Sequence, residues 1–189
     1  NEVRTIIRNI SISAWNYAVS FVKPIGDSWI RTYKKYVKHG PAIYNPDGGH
    51  FSGFKLMGAV IAFSRHLKKI LGPDEKNVGI MLPPSPAGVI VNLALWLLGK
   101  TNVNLNYTSS VDNVKFCAAR ADVKTVITSR QFVEKLKMRG NDYSQIASDK
   151  LRIFYAEDFM KVIPKAKIAF YLVFCIIAPC WLIKFCFRK

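Results

Sequence analysis

The stretch VGIMLPPSPAGVIVNLALWLLGKTNVNLNY, residues 78–107, decides how this chain is read. Val78–Leu82 is a short apolar run without polar alternation, which suits a strand buried on both faces. Pro83, Pro84 and Pro86 interrupt the uncharged run from Val78 to Gly99. Its longest proline-free part, Ala87–Leu98, has twelve residues, the length of a buried helix and not of a membrane span. Ser85-Pro86 supplies an N-cap followed by proline at the first helical position, and Gly99 supplies the stop. Thr101–Leu105 follows as a strand. Strand, helix and strand in this order form a βαβ unit.

The same alternation continues downstream. Ser109 or Ser110 caps a helix through Arg120, and Val123–Thr128 is an apolar strand. Ser129 caps a further helix that Gly140 closes. Leu151–Tyr155 is a last strand, and Glu157–Ile163 starts another helix. Upstream, Ser52 opens a long helix. Leu56, Ala59, Val60, Phe63, Leu67, Ile70 and Leu71 recur there at three- and four-residue steps, and Arg65, Lys68 and Lys69 take the other face. Gly72-Pro73 ends it. Before it, Ala42-Ile43-Tyr44 and His50-Phe51 flank Asn45-Pro46-Asp47-Gly48-Gly49, which predicts a hairpin. Asp27 or Ser28 starts a helix with Trp29, Ile30, Tyr33, Tyr36 and Val37 on one face, stopped at Gly40. The expected fold class is α/β, a mostly parallel sheet with flanking helices. The expected domains are a lead-in or linker over 1–26, the α/β part over 27–160 and a separate end segment over 161–189.

Composition sets outer limits. Of 189 residues, 50% are hydrophobic, which excludes a disordered chain. Lys and Arg number 28 against 12 Asp and Glu, a formal charge of +16. Such a balance points to nucleic acid or an anionic membrane surface. No block of five like charges exists, so a nucleic-acid arm is not expected. The charge does concentrate at the end: Lys161, Lys165, Lys167, Lys184, Arg188 and Lys189 stand there with no acid after Asp158.

Between those cations, Ile168–Ile183 (IAFYLVFCIIAPCWLI) carries no charge. As a helix it would rise about 24 Å, short of a hydrocarbon core of roughly 30 Å. Trp181 suits an interface, and Lys184 can snorkel. The expectation is a monotopic or re-entrant membrane-prone helix. A full span and a buried core helix of a larger fold are the alternatives. Lys161, Lys165, Lys167, Trp181, Lys184, Arg188 and Lys189 are the expected membrane-contacting residues. Cys175, Cys180 and Cys186 read as small hydrophobes.

Motifs of chemistry are sparse. His39, His50 and His66 have no ligand-spaced partners, and no C-x-x-C is present, so no metal site is expected. No G-x-S-x-G exists, and Ser85 is better explained as a helix cap than as a nucleophile. Neither phosphate-binding glycine motif occurs. Asn9-Ile10-Ser11 and Asn106-Tyr107-Thr108 match a glycosylation tripeptide without an exported context. No catalytic, cofactor-binding or metal-binding residue is assigned.

FSGFKLMGAVIAFSRHL (51–67) together with residues 78–107 nevertheless resembles the N-terminal part of the adenylate-forming (AMP-binding) acyl ligases. Ser52 and Leu56 match the family's helix start, with Phe54 departing from it. Met81-Leu82-Pro83 and Ser85 match its next motif, with Pro84 at the usual Asn. Gly99-Lys100 and Val103-Asn104-Leu105-Asn106 match the third. The continuation LNYTSSVDNVKFCAARADVKTVITSRQFVEKL (105–136) resembles the acyl-[acyl-carrier-protein] synthetase domain of 2-acylglycerophosphoethanolamine acyltransferase enzymes.

The resemblance implies the front part of a large N-terminal domain. In such an enzyme ATP and Mg²⁺ convert a fatty acid to an acyl-adenylate, which a thiol of acyl carrier protein or coenzyme A then takes up. It also implies work in phospholipid acylation or repair at the cytoplasmic face of the membrane. The implied partners are an anionic membrane surface, the rest of the ligase domain and acyl carrier protein or coenzyme A, with no nucleic acid. The family's phosphate loop, ribose-binding Asp and catalytic Lys lie downstream of the matched part. This chain alone is therefore expected to bind no cofactor and to be inactive. The first residue is Asn1 rather than Met, and a fragment whose gene runs on beyond Lys189 is expected. A non-catalytic membrane-binding module derived from a truncated ligase is the alternative.

Overall fold

The computed structural model describes residues 2–22, 25–37, 40–44, 50–162 and 164–188. Its centre is a four-stranded parallel sheet of β3 (Asn77–Ile80), β4 (Thr101–Asn104), β5 (Thr125–Thr128) and β6 (Arg152–Tyr155), in the order β4-β3-β5-β6. Asn77 stands opposite Thr101, Gly79 opposite both Val103 and Val126, and Val126 opposite Ile153. Each expected strand is found: β4, β5 and β6 are one or two residues shorter than expected, and β3 starts one residue earlier and ends two earlier. The α/β class with a parallel sheet is thus observed.

The helices follow the local signals. In α3 (Gly53–Ile70), the Ser52 hydroxyl accepts from Lys55 N. In α4 (Pro86–Leu97), Ser85 accepts from Gly88 N, with Pro86 in the first turn. Ser110 caps α5 (Val111–Arg120), and Ser129 caps α6 (Arg130–Lys137). Such caps satisfy N–H groups that have no partner inside the helix. Gly99 and Gly140 take φ of +70° and +92° at the helix ends, a region costly for residues with a Cβ. A turn of 3₁₀ helix, Tyr143–Ile146, interposes before β6; it was not expected from the pattern.

Strand order places helices on both sheet faces. One layer joins Val78, Ile80 and Ile127 to Met57, Val60, Ile61, Phe63 and Leu67 of α3 and to Val91, Ala94 and Leu95 of α4. The other joins Met81, Leu105 and Val126 to Val114 and Ala118 of α5, Val133 and Leu136 of α6, and Tyr143 and Ile146. Both faces of the central strands are covered, which is why their sequences are apolar runs without alternation.

Residues expected as lead-in form α1 (Glu2–Ser20), a helix with no buried residue. α2 (Ile25–Thr32) runs into a π-helical turn, Tyr33–Val37, rather than one continuous helix to Gly40. The hairpin strands β1 (Pro41–Tyr44) and β2 (His50–Ser52) pair antiparallel as expected. Their turn, 45–49, lies outside the described residues, as does His39.

The uncharged end segment forms α8 (Lys165–Ile177) and α9 (Cys180–Arg188), broken at Ala178-Pro179, after the short α7 (Ala156–Val162). Among the described residues no helix is long and apolar enough to cross a membrane. One side of the pair is docked on the first core layer: Ala178 and Ile183 are buried, and Ile168, Tyr171, Phe174, Leu182 and Cys186 pack against it. A Cβ on Gly58 of α3 would come 2.6 Å from Leu172, so α3 and α8 approach through the missing side chain. The Lys34 ammonium donates to the carbonyl of Ala178, placing a cation at the C-terminal end of α8. The other side is open, with Phe170, Val173, Ile176, Ile177, Trp181 and Phe185 all exposed.

Candidate functional site

In an open parallel sheet, ligands meet the carboxyl ends of the strands where the strand order reverses. Here the chain steps from β3 out to β4 and returns across β3 to β5. The reversal is stitched together at its carboxyl end. Thr128 Oγ1, fully buried, donates to Met81 O at 2.7 Å, and Met81 N donates to Ile127 O at 2.9 Å.

Beside it lies a groove of about 460 Å³ between the carboxyl ends of β3 and β4. Leu82-Pro83-Pro84-Ser85 form one rim, Asn104, Leu105 and Tyr107 the other, and Val89, Leu93 and Trp96 of α4 the floor. No Lys, Arg or His lines it. Its polar groups are few, and several are committed elsewhere. Ser85 Oγ donates to Pro83 O at 3.1 Å while accepting from Gly88 N at 3.2 Å, so it works as a cap. Asn92 is held by Gly88 O and by Asn102 Nδ2, each at 2.8 Å.

Such a lining suits an apolar or aromatic moiety. It does not suit nucleotide phosphates, which need convergent backbone N–H groups and a cation. Pro83 and Pro84 have no N–H, and no cation lies within the groove. The residues lining this groove therefore do not fit ATP. Among the described residues no three His, Cys, Asp or Glu side chains gather into a metal site.

The loop that forms the second rim is positioned by a residue the sequence did not single out. Tyr143 is buried, and its hydroxyl lies within hydrogen-bond reach of the carbonyls of Tyr107, at 2.8 Å, and Ser109. Burial pushes the phenol pKa up. Tyr107 also stacks edge-on against Phe132 at 4.8 Å. Nothing in the local pattern near Tyr143 marks it, because its partners lie more than thirty residues earlier.

At the next strand ends, Glu157 Oε1 accepts from Ser129 Oγ at 2.6 Å. Burial alone raises the Glu157 pKa, but the Ser129 hydroxyl and backbone N–H groups outweigh it, and the net direction is down. Arg130 pairs with Asp158 at 2.7 Å and lies over the Tyr155 ring.

Of the expected membrane-contacting residues, the side chains of Lys167 and Trp181 are among those described. Lys167 and Trp181 are exposed, on α8 and α9. Lys161, Lys165, Lys184 and Arg188 lie on α7, α8 and α9, with side chains outside the described set, and Lys189 lies outside the described residues. The structure brings Lys167 together with residues not grouped with it from sequence. Arg65, His66, Lys68 and Lys69 of α3 and Lys167 and Tyr171 of α8 line a recess of about 530 Å³. His66 packs between Phe154 and Phe159, each ring at 5.6 Å. Burial and then the Lys69 charge hold its pKa below the ordinary value.

The chain belongs to the AMP-binding enzyme family, whose family model matches residues 32–166. Solved structures share the fold. The N-terminal subdomain of Klebsiella oxytoca NpsA, in complex with 3-hydroxybenzoyl-AMSN, aligns at 15% identity over 77% of this chain, with a TM-score of 0.62. O-succinylbenzoate coenzyme A synthetase (MenE) from Bacillus subtilis, in complex with AMP, aligns at 18% identity over 72%, with a TM-score of 0.59. The amide bond synthetase McbA from Marinactinospora thermotolerans aligns at 19% identity over 67%, with a TM-score of 0.54. The chain spans 33%, 33% and 24% of those three chains. At these identities the likeness is one of fold.

Proposed function

We propose that this chain is the front part of the large domain of an AMP-forming fatty acid ligase, of the acyl-[acyl-carrier-protein] synthetase kind. The whole enzyme would join a fatty acid to AMP and pass the acyl group to a thiol of acyl carrier protein or coenzyme A, in phospholipid acylation or repair. Residues 27–160 supply part of the ligase domain, 1–26 lead into it, and 161–189 meet an anionic membrane at its cytoplasmic face. The observation that carries the reading is the cation-free groove at the carboxyl ends of β3 and β4, in a chain of this family. It offers an apolar wall for an acyl chain and leaves ATP, with Mg²⁺, to groups supplied by the remainder of the domain.

ATP–pyrophosphate exchange with a long-chain fatty acid and Mg²⁺ tests it. The chain alone is expected to give none, and the chain joined to the remainder of a ligase domain of this kind to give fatty-acid-dependent exchange. In the joined enzyme, Trp96→Ala is expected to raise the KM for the fatty acid about tenfold, the order of effect of a lost apolar contact. Exchange by the chain alone, or no dependence on fatty acid in the joined enzyme, overturns the reading.

The open side of α8 and α9 supports membrane adhesion, because exposed apolar groups bury area at an interface and neighbouring cations meet anionic lipid. Flotation on anionic vesicles is expected, and replacing Phe170, Ile177 and Trp181 by Ser is expected to reduce it. Equal flotation of that variant refutes adhesion through this face.

A further inference from the structure

The recess between α3 and α8 is lined by cations from two helices. Arg65, Lys68, Lys69 and Lys167 converge on it, and no carboxylate lines it. Among the described residues none of Lys68, Lys69 and Lys167 is paired with an acid. The Arg65 guanidinium donates to the carbonyl of Cys186 at 3.5 Å, which ties it to the last turn of α9. Arg65 and Lys69 are four residues apart on one helix, a like-charge spacing that costs stability unless an anion sits between the charges. Lys167 comes from another element, so the folded structure creates this concentration of charge and no run of sequence does.

The surroundings say what kind of anion. Tyr171 lines the recess, and its ring meets Phe170 edge-on at 5.8 Å. Phe170 is 65% exposed and begins the open apolar side of α8, where Val173 and Ile177 follow. A cationic recess is therefore continuous, across one aromatic pair, with an apolar surface. That pairing fits an amphiphile whose anionic group enters the recess while its hydrocarbon stays with the apolar side. A soluble phosphate would use only the first half of it.

We infer that the recess formed by Arg65, Lys68, Lys69, Lys167 and Tyr171 holds the phosphate of an anionic glycerolipid headgroup at a bilayer surface. The inference rests on the membrane adhesion proposed above and names the group that gives it lipid selectivity. The lysine side chains meet the phosphate as point charges, and the Tyr171 hydroxyl can donate to one of its oxygens.

The test compares three forms of the full chain by vesicle co-sedimentation: the unchanged chain, Lys68→Gln/Lys69→Gln/Lys167→Gln, and Lys115→Gln/Lys124→Gln/Lys150→Gln. The last removes equal charge from the amino-end side of the sheet. Vesicles are phosphatidylcholine alone, or with phosphatidylglycerol at about one part in three. Thermal melting of all three forms checks that each is folded. The recess variant is expected to lose about a hundredfold of its affinity for anionic vesicles, the order given by removing three cations near such a surface. The control variant should lose less than about threefold, and both should keep the residual binding to neutral vesicles. Equal losses in the two triple variants overturn the inference and leave diffuse charge as the cause.

Inorganic phosphate supplies the other arm. At millimolar concentration it is expected to leave vesicle binding unchanged. Tight phosphate binding that only the recess variant loses, without any vesicle selectivity, makes the recess a soluble-anion site and also overturns the inference. If the unchanged chain binds no vesicle of either kind, the adhesion reading itself fails. If it binds anionic vesicles and the recess variant binds them equally, only the recess assignment fails.

Discussion

Replacing Ile183 by Ala asks whether the end segment is part of the folded domain. Ile183 is fully buried on α9, in the core layer shared with α2, α3 and α4. The substitution removes three carbons, each contributing about 0.8 kcal/mol by transfer from water. That gives about 2.4 kcal/mol, and the cavity left behind raises the expected loss to about 2.5–4 kcal/mol. For a chain of this size, urea slopes of about 2–3 kcal/mol per molar convert this to a midpoint lower by roughly 1 M. Ile177→Ala is the matched control, because Ile177 is 77% exposed on the neighbouring helix. Its expected cost is under about 0.5 kcal/mol. Circular dichroism at 222 nm reads both, and the slope must stay constant for the comparison to hold. Equal, small midpoint shifts for the two variants would refute docking of α9 and favour a segment that leaves the domain in solution.

Other expectations follow from single contacts. A Cβ on Gly26 would lie 2.8 Å from the backbone oxygen of Trp96, so Gly26→Ala is expected to destabilise by about 1–3 kcal/mol in a thermal melt, whereas Gly40→Ala meets open space and is expected to be near neutral. Ser85→Ala is expected to cost about 1 kcal/mol as a lost cap while leaving exchange by a joined ligase within a few-fold; abolished exchange would return Ser85 to consideration as a reacting group. Because the Glu157 pKa is held down by Ser129, its contribution is present above the ordinary glutamate pKa of about 4.3 and is lost as pH falls through the lowered value. Ser129→Ala should therefore cost more stability near pH 7 than near pH 3, and an equal cost at both would show that only the helix cap was lost. Tyr143→Phe removes the hydroxyl that reaches the carbonyls of Tyr107 and Ser109 and is expected to speed amide exchange in residues 107–110 without a comparable change in α4.

What the sequence by itself determined was the run of elements that carry their own signals. Ser52, Ser85, Ser109 or Ser110, and Ser129 are each placed to start a helix through a hydroxyl and an N–H three residues on, the structure choosing Ser110, and Gly99 and Gly140 end helices through a local φ. Val78–Leu82 and Val123–Ile127 announced strands covered on both faces because burial on both faces removes polar alternation. These signals act over a few residues and are legible in order. The family was legible for the same reason: its motifs sit on those caps and strand ends.

Tertiary structure decided the rest. The order β4-β3-β5-β6 determines which strand ends flank one groove, and pairing partners far apart in sequence leave no local trace. The 3₁₀ turn of Tyr143–Ile146 is held by burial against the second core layer, and four residues carry too little periodicity to announce it. The uncharged end segment is ambiguous in sequence because a bilayer and a protein core select the same apolar residues. Only packing divides it, setting Ile183 against the core and leaving Trp181, two residues earlier, exposed. The cationic recess has the same origin. Arg65, Lys68 and Lys69 read as one face of a solvated helix until α8, drawn in where Gly58 has no side chain, brings Lys167 and Tyr171 against them.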